Sequence, residues 1–186
     1  ALALIATATI ACTTTKKAEG GAADPMVLVE KAEVERAAPA TFAPYLASPA
    51  AAVRARAVLA LARLEMLSAL DPLIAALKDA DPFVRANAAF GVGQMDLAID
   101  PTVSSEETAR KRSEAALIAA LQSERDDNVR AAIVRALGRV SDGPGIDALI
   151  ALAASSTGRE KATALVALGV NGKRRSARSQ GNASLA

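Results

Sequence analysis

The chain has no histidine and no tryptophan, and only one cysteine in 186 residues. Aromatic residues make up 2% of it, one Tyr and three Phe. Each shortage excludes something. One cysteine closes no internal disulfide, so no disulfide framework holds this protein together. Without histidine and with a single thiol, a zinc cluster of the usual ligand types cannot be assembled. Cys-His and Ser-His nucleophile pairs are excluded on the same ground. There is no glycine-rich phosphate loop following a strand pattern. The scattered Ser, Thr, Asp and Glu residues stand where helix caps and solvent faces need them. The expectation is a protein that is not an enzyme and carries no cofactor and no metal. Acids are also missing from one region. None follows Glu160, and Lys173, Arg174, Arg175 and Arg178 crowd the end. The net charge is +2, so without those four residues 1–172 carry −2. A broad basic face for nucleic acid is therefore not expected.

What is abundant is aliphatic. Hydrophobic residues make up 52% of the chain, and Ala, Leu, Val and Ile must build the core. Such residues favour helices and let them approach closely. An all-α protein is the expectation.

The body repeats itself. Val53-Arg54, Val84-Arg85 and Val129-Arg130 recur 31 and then 45 residues apart. "REKATALVALG" continues the frame, with Glu160 31 residues after Val129 and Gly169 31 after Gly138. Gly93, Gly138 and Gly169 fall where each of these helices is expected to end in a glycine cap. Ahead of each copy lies a second apolar stretch: "TFAPYLAS", "LDPLIAALKD", "EAALIAALQS" and "GIDALIALAASS". Leu73, Ile74 and Leu77, Leu117, Ile118 and Leu121, and Leu149, Ile150 and Leu152 have helical spacing. On that reading, Asp at Ile74 or Leu121 would bury a charge and unfold the array. Ser48-Pro49, Asp81-Pro82 and Asp126 or Asp127 are helix-start signals. Each unit is thus two antiparallel helices, stable only when stacked. Ala57, Ala88 and Ala132 are the small positions where units meet.

"DPFVRANA" and "DDNVRAAI" match the pattern D-x-x-V-R-x-x-A, with Ala132 displaced by one place in the second. The chain in this respect resembles HEAT repeats of the short kind found in phycobilisome lyase-like subunits. The resemblance implies an α-solenoid of about four two-helix repeats. It also implies a ladder of Arg54, Arg85 and Arg130 paired with Asp81, Asp126 and Asp127 near the turns. Solvent-exposed rungs would each contribute about 0–1 kcal/mol. The fourth copy has Lys161 in place of the arginine.

The ends are organised differently. Residues 1–11 are uncharged and read as part of a secretory signal lacking its basic start. "TIAC", residues 9–12, resembles the lipobox of bacterial lipoproteins, which implies a lipid anchor on Cys12. The alternative is an ordinary thiol at a helix end. The expected layout is a signal segment at 1–11, a flexible tether at 12–24, repeats at 25–172 and a basic disordered tail at 173–186. The 14 extra residues between the second and third copies fall in 96–110. They are read as a loop over 96–103 followed by a lengthened helix, with Ser104 or Ser105 as cap and Glu106 and Glu107 in its first turn. Asp96, Asp100, Glu106 and Glu107 lack the spacing of a calcium loop. Such an insertion either meets a partner or is neutral length variation, and the second is expected.

The function expected from all this is an interaction scaffold: a membrane-anchored lipoprotein of the bacterial envelope presenting a helical surface to another protein. Arg56, Arg63, Asn87, Gln94, Arg135 and Arg139, on the exposed sides of the second helices, are either contacts for that partner or an ordinary solubilising face. The alternative, from the family resemblance, is a cytoplasmic subunit or regulator of a bilin lyase-like enzyme.

Overall fold

The structure, a computed structural model, describes residues 23–95 and 104–183. Cys12, the signal segment, nearly all of the tether and the loop at 96–103 lie outside the described residues. So do the side chains of Ser104, Ser105, Glu106 and Arg178.

Among the described residues there are nine α-helices: α1 (Pro25–Val34), α2 (Ala43–Leu46), α3 (Ala51–Leu64), α4 (Leu70–Ala76), α5 (Pro82–Gln94), α6 (Ser104–Ser123), α7 (Asp127–Val140), α8 (Pro144–Ser155) and α9 (Gly158–Ala183). Single 3-10 turns lead into α2 and α4. The pairs α2/α3, α4/α5, α6/α7 and α8/α9 are the four units of an all-α solenoid. The second helices pack in an unbroken row, α3 on α5, α5 on α7 and α7 on α9. The first helices α4, α6 and α8 form the other layer, touching one another more sparingly. Helix α1 packs on α3 and so extends the row of second helices by one.

Local chemistry sets the helix ends. The Asp81 carboxylate accepts from the amides of Phe83 and Val84 at 2.8 and 3.2 Å, and Pro82 takes the first helical position. Asp126 does the same for Asn128 and Val129 at 2.9 and 3.0 Å. Each satisfies amides that an α-helix leaves unpaired at its start. Ser48-Pro49 does not cap α3: the cap position is Ala50, and Ser48 instead closes a turn onto the Ala50 amide at 3.3 Å.

The core lies between the layers. Leu73, Leu117 and Leu149 enter it from the first helices and are fully buried, facing Leu61, Leu137 and Ile133 from the second. Leu77 and Leu121 are buried too, but Ile74, Ile118 and Leu152 are half-buried and Ile150 is 53% exposed. A helix step of one residue turns a side chain about 100°. The residue after each buried leucine therefore points along the edge of its layer, and Leu73, not Ile74, is the core position.

The expected glycine caps are corrected. Gly93 and Gly138 lie inside α5 and α7, and α9 runs through Gly169. A Cβ on Gly93 would stand 2.9 Å from the Cβ of Ala136. One on Gly138 would stand 2.7 Å from the carbonyl oxygen of Ala167. At these glycines successive second helices come close enough to leave no room for a Cβ. The tail is corrected as well: residues 173–183 are the last turns of α9 rather than a disordered end. No proline interrupts α9, and Asn171 and Arg174 bind it to the carbonyl of Ser141, each at 2.5 Å.

Candidate interaction surface

The three Val-Arg arginines form a ladder, but with different acids from those expected. Arg54 on α3 forks onto Asp79 with two bonds of 2.8 Å. Arg85 on α5 forks onto Glu124 at 2.7 and 3.0 Å. Arg130 on α7 reaches one oxygen of Glu160 on α9 at 2.9 and 2.7 Å. The remaining guanidinium nitrogen of each binds carbonyls of the turn inside its own unit: Ser48 and Pro49, Asp79 and Ala80, Leu121 and Glu124. One side chain thus closes its own turn and ties it to the next unit.

Asp81 and Asp126 are not rungs because their carboxylates are occupied as helix caps. Asp127 is exposed in the first turn of α7 and makes no ion pair among the described residues. The first two true rung acids stand two residues before each cap, in Asp79-x-Asp81 and Glu124-x-Asp126. That second, earlier acid was the available sequence signal.

The first two rungs are largely buried. Arg85 and Glu124 retain 19% and 7% of their side-chain surface. The Arg85 hydrogen bonds hold the Glu124 carboxyl down to about 2 against the opposing effect of burial, helped by the amides of Asp126 and Arg125. The Arg54 fork likewise lowers the Asp79 carboxyl.

A second polar cluster had no counterpart in the sequence reading. It surrounds the turn between α7 and α8. From α6, Arg110 bonds both oxygens of Glu107 and meets Asp142 at 2.6 Å, while Glu114 accepts the Gly145 amide at 2.7 Å. From α9, Arg174 reaches Asp142 at 2.7 Å. The lengthened start of α6 and the extension of α9 therefore grip one turn from two sides. This is a structural role for residues 107–110 of the extra segment.

Five of the six expected contact residues already have polar partners on the outer side of the second-helix row. Glu33 on α1 pairs with Arg56 at 2.5 Å and Arg63 at 3.3 Å. Asn87 donates to the Ala55 carbonyl at 3.2 Å. Arg139 donates to Gln94 across the α5–α7 contact. Arg135 is exposed and has no polar partner among the described residues. Two residues the sequence reading passed over join it there. Phe83 is 67% exposed and Phe90 38%, seven residues apart on the outer side of α5. The Arg139 guanidinium lies 5.9 Å from the centre of the Phe90 ring, a cation–π distance. Together these residues line a shallow groove of about 460 Å³ between α5 and α7, floored by Ala86, Ala132 and Ala136. A larger groove of about 570 Å³ runs between α4 and α6, with Ile74, Leu77, Ala116 and Ala120 in its wall and the Arg85–Glu124 rung at its end.

Among the described residues, no group of three or more His, Cys, Asp or Glu side chains could hold a metal ion. No helix among them is long and apolar enough to cross a membrane. What the surface offers is shape, aromatic area and guanidinium groups.

Known proteins share this architecture. Residues 39–105 match the family described as HEAT repeats, and residues 129–155 match the PBS lyase HEAT-like repeat. Among solved structures, the chain is similar to one in the complex of CpcE and CpcF of phycocyanin lyase from Nostoc sp. PCC7120. It is 25% identical to that chain, covers 77% of this chain and 86% of that one, and has a TM-score of 0.63. No curated protein matches.

Proposed function

We propose that this protein is a non-enzymatic scaffold that holds another protein on the outer face of its second helices, at the groove between α5 and α7. The observation that carries this is the pair Phe83 and Phe90, exposed beside the unpartnered Arg135. Exposed aromatics with arginine are the residue types enriched at protein interfaces. The repeat match and the likeness to a subunit of a two-protein complex support the scaffold class. In this reading the N-terminal segment is cut before Cys12, the thiol is lipidated, and the solenoid stands at the membrane of a bacterial envelope. The support for that part is the lipobox-like "TIAC".

The test of the groove is site-specific photo-crosslinking in the native cell. A crosslinker at Phe83, Phe90 or Arg135 is expected to trap a discrete protein, and one at Ala115 on the first-helix layer is not. Equal trapping at both sites, or none, would reject the groove. The anchor is tested by the intact mass of the mature N-terminus, where acylated Cys12 is expected.

A second reading is a cytoplasmic subunit or regulator of a bilin lyase-like enzyme. The likeness to the phycocyanin lyase subunit favours it. An uncut, unlipidated chain that copurifies with bilin would replace the first reading with this one.

A further inference from the structure

The row of second helices is built by repeating one contact, and α9 presents that contact once more with no described helix packed on it. Three features of α7 hold α9. The Arg130 fork reaches Glu160, Val134 is buried to 1% exposure, and Gly138 lets the Ala167 backbone come close. Moving 31 residues along, α9 presents Lys161, Leu165 and Gly169 at the same places. Lys161 makes no ion pair among the described residues. Leu165 is 52% exposed, and nothing lies within 4 Å of a Cβ built on Gly169. Beside them, Val166 and Val170 are 63% and 44% exposed, where α7 has Arg135 and Arg139. The opposite side of α9, through Ala164, Ala167 and Asn171, is buried against α7 and α8.

The charge around this face has one sign. Arg159, Lys161, Lys173 and Arg175 are exposed and unpaired among the described residues. The only acid of the helix, Glu160, is already bonded to Arg130. Two copies meeting α9 to α9 would bring these cations together, which like-charge repulsion opposes.

We propose that the open face of α9 binds an amphipathic helix of a different protein, in the position a further second helix would take. The helix carries a carboxylate near its N-terminus for Lys161, a small residue facing Gly169 and apolar residues against Leu165, Val166 and Val170. This rests on the scaffold reading but uses a different surface from the α5–α7 groove.

The test uses a probe taken from the repeat itself. A fluorescent peptide of residues 122–141, with Arg135→Glu and Arg139→Glu to make it acidic, contains Glu124 and Ala136. Those are the residues that answer Arg85 and Gly93 on α5. Titrated against the full chain by anisotropy, it is expected to bind saturably. Gly169→Leu and Lys161→Glu should each weaken binding by about tenfold or more. Glu124→Lys in the peptide should restore binding to the Lys161→Glu protein, and Phe90→Ala should leave it unchanged. Gly169 faces open space within a helix, so the Gly169→Leu protein should keep its helical content and melt no lower than the parent, which circular dichroism checks. Absence of saturable binding, or binding indifferent to the α9 substitutions, overturns the proposal. Self-association of the chain that Gly169→Leu abolishes overturns it too, because the occupant is then a second copy. Crosslinks retained at Phe83 and Phe90 in either case would leave the scaffold reading standing.

Discussion

The Arg85–Glu124 rung is the most exacting test of how these units are joined. Replacing Arg85 by Met removes a fork of 2.7 and 3.0 Å and two bonds of 2.9 Å to the Asp79 and Ala80 carbonyls. Glu124 keeps the amides of Arg125 and Asp126, both at 2.9 Å, but its carboxylate loses the one cation bonded to it among the described residues. Removing one partner of a buried pair costs about 3–5 kcal/mol, whereas exposed pairs contribute about 0–1 kcal/mol. With side chains 19% and 7% exposed, this rung lies nearer the buried case. Arg85→Met should destabilise by about 3 kcal/mol and Glu124→Gln by about 1–2 kcal/mol. The double variant should lose less than the sum, with a coupling of about 1.5–3 kcal/mol. Urea unfolding followed by circular dichroism measures all four corners of the cycle.

Acid gives an independent reading of the same rung. The Glu124 carboxyl falls from 4.5 to about 2 on folding, which corresponds to about 3 kcal/mol at most. Because the folded value is the lower one, that stability is complete above the unfolded value. It is lost as pH falls from about 4.5 through about 2. Glu124→Gln should flatten this part of the stability–pH curve. A coupling below about 0.5 kcal/mol, together with an unchanged acid slope, would refute the ladder as a joint between units.

Other substitutions separate neighbouring residues that look alike in sequence. Gly138→Val drives a side chain into the Ala167 backbone and should destabilise by about 1–3 kcal/mol, while Gly169→Ala, in open space within a helix, should stabilise by about 0.5–1 kcal/mol; thermal melts of the two should shift in opposite directions. Leu73→Asp buries an unpaired charge and should abolish cooperative unfolding, whereas Ile74→Asp, at a half-buried groove wall, should leave a folded protein with a lowered midpoint. Asp81→Ala and Asp126→Ala remove helix caps and should each lose about 1 kcal/mol, and Asp127→Ala should lose clearly less in the same denaturation assay.

The sequence by itself determined the helical class, the unit of two helices and the phase of the repeat. These follow from local rules. Val-Arg recurrence and apolar spacing depend on the 3.6-residue turn, and Asp81 and Asp126 announce helix starts through bonds that span two or three residues. Which partner a side chain meets across units is a different matter, because it depends on the rotation and offset of one helix against the next. Asp79 and Asp81 are two residues apart and both acidic. Only the packed turn decides that one reaches back to Arg54 while the other caps α5. The glycines behave likewise. Gly93, Gly138 and Gly169 share one frame and read as helix ends. Stacking turns the first two into contact points, while no described helix packs over the third. The aromatic groove was hidden for the same reason. Phe83 and Phe90 look like core residues by type, and only the direction of α5 in its layer turns them outward beside Arg135 and Arg139. Local hydrogen bonding and helical period are written in the order of residues, while pairing and exposure belong to the geometry of stacked helices.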